Sequence, residues 1–127
     1  MRVTMTNLKT IEIKAYVPAK DFELSKQFYQ DLGFTLCWSE EDLAKFEIGT
    51  TRFLLQNFYT REHAENFMMH MLVENADDWW QHIQENKLME KYGVKAAPPE
   101  DRHWGIRDLV LDDPSGVLWR IGHVINE

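Results

Sequence analysis

Cysteine is almost absent from this 127-residue chain, with Cys37 standing alone. A single thiol excludes an intrachain disulfide and any Cys-x-x-Cys metal pair. Cys37 is expected to be a small buried apolar residue rather than a reactive nucleophile. Long apolar runs are missing as well, and no stretch approaches the roughly 20 residues of a membrane span. Residues 1–7 hold no apolar signal core, so the expectation is a cytoplasmic protein without a membrane partner. Positive charge is in deficit: the formal net charge is −7. An acidic domain repels phosphate backbones, which argues against nucleic acid as a partner. The histidines, His63, His70, His82, His103 and His123, are scattered without the pairing of a metal motif.

What the chain does have is enough length for one domain, 1–127, whose core can close without disulfides or a structural metal. Five of its residues are tryptophan, which suits an aromatic-lined pocket as well as an aromatic core. Thr10 to Val17 alternates as a strand, with Ile11, Ile13, Ala15 and Val17 on one side and Glu12, Lys14 and Tyr16 on the other. Asp21 can cap a helix that buries Phe22, Leu24, Phe28, Tyr29 and Leu32 and ends at Gly33. Strands are expected over 34–40, 43–48 and 52–58, with a tight turn at Gly49-Thr50-Thr51. A polar linker, 60–65, leads to a strand over 66–74 and a helix over 76–87, with Asp77 and Asp78 in its first turn. A loop containing Pro98-Pro99 and a short strand at 94–97 come before the last hairpin.

That hairpin carries the most specific pattern. Strand-forming runs flank Asp113-Pro114-Ser115-Gly116, a turn in which Pro fixes φ and Gly permits φ > 0. Trp104-Gly105 followed by Arg107-Asp108 and this turn resembles the closing hairpin of the glyoxalase/bleomycin-resistance superfamily, the vicinal oxygen chelate fold, although Ile106 is an inserted residue. Val17-Pro18-Ala19-Lys20-Asp21, Ser25, Phe28-Tyr29 and Leu32-Gly33-Phe34 are similar to the superfamily's opening motif. Trp38-Ser39-Glu40-Glu41-Asp42-Leu43-Ala44 resembles a segment of its bleomycin-resistance branch. The resemblance implies an α+β fold of two βαβββ units, 8–59 and 65–125, paired into a cup-shaped mixed sheet. It also implies a homodimer, formed by exchange of units or of an N-terminal strand, with a ligand groove between chains.

Metalloenzymes of this superfamily draw ligands from positions that resemblance places at Lys14, at Met68 (or His70, if the register slips by two) and at Arg120. Lys and Arg are cations and repel divalent metals. Gln56 and His70 do not replace the missing carboxylate, so no metal and no cofactor are expected. Lys14 and Arg120 are expected to share one inner cup, with Glu12, Glu47 or Asp108 as partners. Candidate ligand contacts are Trp38, Glu40, Leu43, Met68, His70, Trp104, Arg107 and Arg120. Trp38, expected on the strand face of Phe34, Leu36 and Glu40, and Trp104 would stack on a planar group. Arg107 and Asp108 are expected to straddle the sheet, with a structural salt bridge as their alternative role. The functional expectation is metal-free sequestration of a planar or aromatic small molecule, such as a bleomycin-like antibiotic, with no catalytic residue. The cations would suit a carboxylate or phosphate instead of a cationic drug. The alternative is a lyase or isomerase acting on a small carbonyl or carboxylate substrate, with His70 as base and Arg120 or Lys14 stabilising an enolate.

Overall fold

Apolar alternation and helical spacing build the same succession of elements twice. The computed structural model describes residues 6–125; part of the N-terminal segment expected to lack a signal core lies outside them. β1 (Tyr16–Pro18), α1 (Phe22–Leu32), β2 (Thr35–Ser39), β3 (Leu43–Ile48) and β4 (Thr51–Gln56) come first. After α2 (Arg61–Glu65) follow β5 (Met68–Leu72), α3 (Ala76–Glu85), α4 (Leu88–Tyr92), β6 (Ala96–Asp101), β7 (Ile106–Asp112) and β8 (Leu118–Val124). The fold is α+β, with two four-stranded mixed sheets ordered β1-β4-β3-β2 and β5-β8-β7-β6. In each, one parallel pair joins the first strand to the last, and the other pairs are antiparallel. No helix among the described residues is long and apolar enough to cross a membrane.

Helix α1 starts where Asp21 Oδ1 accepts from the Leu24 amide at 3.1 Å and ends at Gly33, whose φ of +129° disfavours a side chain. It buries Phe22, Ser25, Phe28, Tyr29 and Leu32, while Leu24 is only half-buried on its flank. Tyr29 is the joint between the two units. Its ring packs on Phe34, Phe46 and Phe53 of the first unit and on Trp119 of β8. Its hydroxyl donates to Asp113 Oδ2 at 2.5 Å and accepts from Trp119 Nε1 at 2.9 Å. The hairpin turn is therefore packed against α1 and not solvated. Asp113 Oδ1 also accepts from the Ser115 and Val117 amides, and Ser115 Oγ accepts from the Lys20 amide.

Several expectations are corrected. The linker at 60–65 is helix α2, which seats Ala64 in the core and carries an Arg61–Glu65 ion pair one turn apart. The helix at 76–87 stops at Glu85; Lys87 takes a left-handed φ of +53° and starts α4, which buries Leu88. Pro98-Pro99 lies inside β6, an edge strand with a register irregularity, where a missing N–H is tolerated. Cys37 is exposed. The first strand forms a ladder only over Tyr16–Pro18, and residues 6–15 lie outside regular sheet.

Candidate functional site

Each sheet turns one face to the buried core and leaves the other open. In the first, Val17, Ala44, Phe46, Phe53 and Leu55 are buried. Alternation then puts Tyr16, Leu43, Lys45, Glu47, Arg52 and Leu54 on the open face. In the second, Leu109, Leu111, Trp119 and Ile121 are buried, so Met68, His70, Leu72, Asp108, Val110 and Arg120 share the open face.

Trp38 reaches the open face through a bulge. Leu36 pairs with Phe46 but Trp38 pairs with Lys45, so Cys37 is an extra residue and reverses the alternation. Trp38 therefore parts from Leu36 and Phe34, whose face it was expected to share, and stands 39% exposed beside Lys45. No composition signal marks such a bulge. Glu40 lies in the exposed turn before β3, where its amide donates to the Leu43 carbonyl at 2.7 Å. Leu43 begins the open face of β3. Trp104 is exposed in the β6–β7 turn, edge-on to His103 at 4.9 Å.

Met68 and His70 are exposed on β5, and His70 pairs in register with Arg120 of β8. Arg107 lies on the opposite, helix-covered face. Its guanidinium donates to both oxygens of Asp77 in α3 and to Asp101, an arrangement that holds it charged and away from Arg120. Arg107 and Asp108 thus straddle the sheet, each in salt bridges.

The two expected cup cations belong to separate networks. Lys14 pairs with Glu12 at 2.6 Å, and Glu12 pairs with Arg52, which also holds Glu47. The Lys14 ammonium keeps the Glu12 carboxyl below its usual range, with help from Arg52. Arg120 pairs with Asp108, which is almost fully buried and shared with Arg102. Arg52 and Arg102 were not among the sequence candidates, because only register brings each beside its acid. A cavity of about 280 Å³ lies where the two units meet, with Arg52 of β4 on one wall and His70 of β5 on the other. Among the described residues no three His, Cys, Asp or Glu side chains converge as a metal site. With paired cations at 14 and 120, this donor set does not fit a divalent metal.

Residues 10–121 match the family described as the Glyoxalase/Bleomycin resistance protein/Dioxygenase superfamily. No curated protein is found as a sequence relative. Solved structures share the fold. A bleomycin-binding protein complexed with bleomycin is 20% identical with a TM-score of 0.74, covering 93% of this chain and 100% of its own. The bleomycin-binding protein from Streptomyces verticillus, complexed with copper(II)-bleomycin, is 18% identical with a TM-score of 0.76 (95% and 100% covered). Lactoylglutathione lyase from Agrobacterium tumefaciens is 14% identical with a TM-score of 0.66 (91% and 94% covered).

Proposed function

Since the chain belongs to the glyoxalase/bleomycin resistance protein/dioxygenase superfamily, we propose that it is a cytoplasmic small-molecule binding protein that sequesters a planar or aromatic compound without a metal. The observation that carries this reading is Trp38, turned by the bulge at Cys37 from the core side to the open face of the first sheet. A half-exposed indole costs apolar exposure that a stacked ligand would relieve. Leu43 and Glu40 lie beside it in sequence, while Met68, His70 and Arg120 line the second sheet, with Trp104 at its β6–β7 turn. Arg107, engaged with Asp77 on the far face, takes no part in this proposal.

The groove in this proposal lies between two copies of the chain. The support is the N-terminal arm. Ile11 is 95% and Ile13 89% exposed, and they continue the alternation that buries Val17 completely. An arm this apolar gains when a second copy covers it, roughly 1.5–3 kcal/mol for each isoleucine. The dimer would then set one protomer's first sheet against its partner's second.

A fluorescence titration of the full chain with bleomycin and with 2-naphthamide, a neutral planar probe, tests the binding claim. Saturable quenching by either is expected, with affinity reduced several-fold in Trp38→Ala, the loss expected for one stacking contact. Absence of saturable binding by both probes, or unchanged affinity in Trp38→Ala, would overturn the reading.

A second reading rests on His70 and Arg120 as neighbours in the β5–β8 ladder. A base beside a cation could move a proton next to a carbonyl and stabilise the enolate, as a lyase or isomerase requires. Solvent deuterium entering a bound α-hydroxyketone in wild type and not in His70→Ala would favour it.

A further inference from the structure

The charge carried by the ligand can be read from the second sheet, on the premise of the binding function proposed above. Asp108 is one carboxylate serving two guanidinium groups. Arg102 Nε donates to Oδ1 at 2.8 Å, and Arg120 Nη1 reaches Oδ1 at 3.4 Å and Oδ2 at 3.2 Å. Among the described residues the other acid on these arginines is Glu100, an exposed carboxylate 3.9 Å from Arg102 Nη1. Glu100 pairs with Asp108 in register on the same face, so the two acids balance the two arginines and no surplus charge is left there.

Arg120 nevertheless has donors to spare. A guanidinium offers five N–H groups in a planar fork. Among the described residues, Arg120 uses only Nη1; Nε and Nη2 have no acceptor there. Gly122 keeps this arrangement in place. It pairs with Asp108 across β7 and β8, and a Cβ at 122 would lie 2.7 Å from the Asp108 Cβ. With only hydrogen at 122, Asp108 has room to hold Arg120 through Nη1. Met68, Leu72 and Val124 are exposed on the same face.

We infer that the ligand is an amphiphilic oxyanion, a planar or apolar body bearing a carboxylate, phosphate or sulfonate group. The Nε and Nη2 edge of Arg120 takes the acidic group by paired charge-assisted hydrogen bonds. The body lies over Met68 and Leu72 towards the tryptophans. A cationic ligand would meet N–H donors at the same place.

Three probes of one shape test this: 2-naphthoate, 2-naphthamide and 2-naphthylmethylammonium, titrated by calorimetry at low and moderate salt. Naphthoate is expected to bind about tenfold more tightly than naphthamide, the advantage of one charge-assisted pair, and to lose part of that margin in salt. Naphthylmethylammonium is expected to be weakest. Arg120→Gln should weaken naphthoate about tenfold, down to the naphthamide level, and weaken naphthamide far less. Should that variant fail to fold, Arg120→Lys preserves the charge facing Asp108 but lacks the planar fork, and must still weaken naphthoate selectively. Equal binding of naphthoate and naphthamide, tighter binding of the ammonium, or a naphthoate preference that survives loss of the fork would overturn the inference while leaving the binding function intact. No saturable binding by any of the three would overturn both.

Discussion

Gly122 and Asp108 face one another across the β7–β8 ladder, and the space between them admits only hydrogen. A methyl at 122 would also lie 2.9 Å from the Arg107 carbonyl oxygen and 2.9 Å from Ile106 Cγ2. One of these neighbours is backbone and cannot swing aside. Gly122→Ala is therefore expected to cost about 1–3 kcal/mol, the usual range for overpacking, and to lift Asp108 off Arg120. Urea unfolding of the variant checks the first effect; a stability equal to wild type would show that β8 can shift. That Lys14 and Arg120 need acids from among Glu12, Glu47 and Asp108 was legible in sequence, because a cation facing inward needs an acid within reach; which acid each takes was not. The sharing of Asp108 with Arg102 was not, because it depends on the β6 bulge that sets Glu100 opposite Asp108.

The β7–β8 hairpin is the element that ties the two units together, and its turn is sensitive to pH. Burial pushes the Asp113 carboxyl up to about 6, against the pull of the Tyr29 hydroxyl and the Val117 and Ser115 amides. The same burial, with the neighbouring carboxylate, drives the Tyr29 hydroxyl up. In the unfolded chain an aspartate titrates near 4. The folded state thus holds this proton more tightly than the unfolded one. The resulting stabilisation is complete below about pH 4 and is lost as pH rises through about 6. The difference amounts to about 3 kcal/mol at most. Glu12, Asp31 and Asp77, each held below its ordinary range by a basic partner, act in the opposite sense: their stabilisation is lost as pH falls through their lowered values. Stability should decline between pH 4.5 and 7, and Asp113→Asn, which cannot ionise, should flatten that decline. Denaturant midpoints at the two pH values measure it, and an undiminished decline in the variant would refute the assignment to Asp113.

At the scale of the whole molecule, the body is closed but the N-terminal arm is not. The ladder of the first strand ends at Tyr16, and the apolar face of the arm runs on through Ile13 and Ile11 with no cover among the described residues. Two copies exchanging arms would bury four isoleucines, several kcal/mol of apolar burial in all. The full chain is expected to sediment as a dimer at micromolar concentration. Ile11→Asp with Ile13→Asp should sediment as a folded monomer with unchanged far-ultraviolet dichroism. A dimer that persists in the double variant would place the interface elsewhere.

The repeated order of strand, helix and three strands, the caps at Asp21 and Gly33 and the closing hairpin all follow from local chemistry: side-chain period, capping oxygen and turn residues act over a few positions. The sequence alone therefore determined the fold class and most of the strands. Short polar helices such as α2, and the proline-bearing strand β6, contradict local preference and exist because core packing and an edge position accept them. The side on which Trp38 stands and the burial of Asp108 were decided by tertiary structure alone. Each depends on strand register, which one extra residue reverses and which is set only when two strands from distant parts of the chain meet.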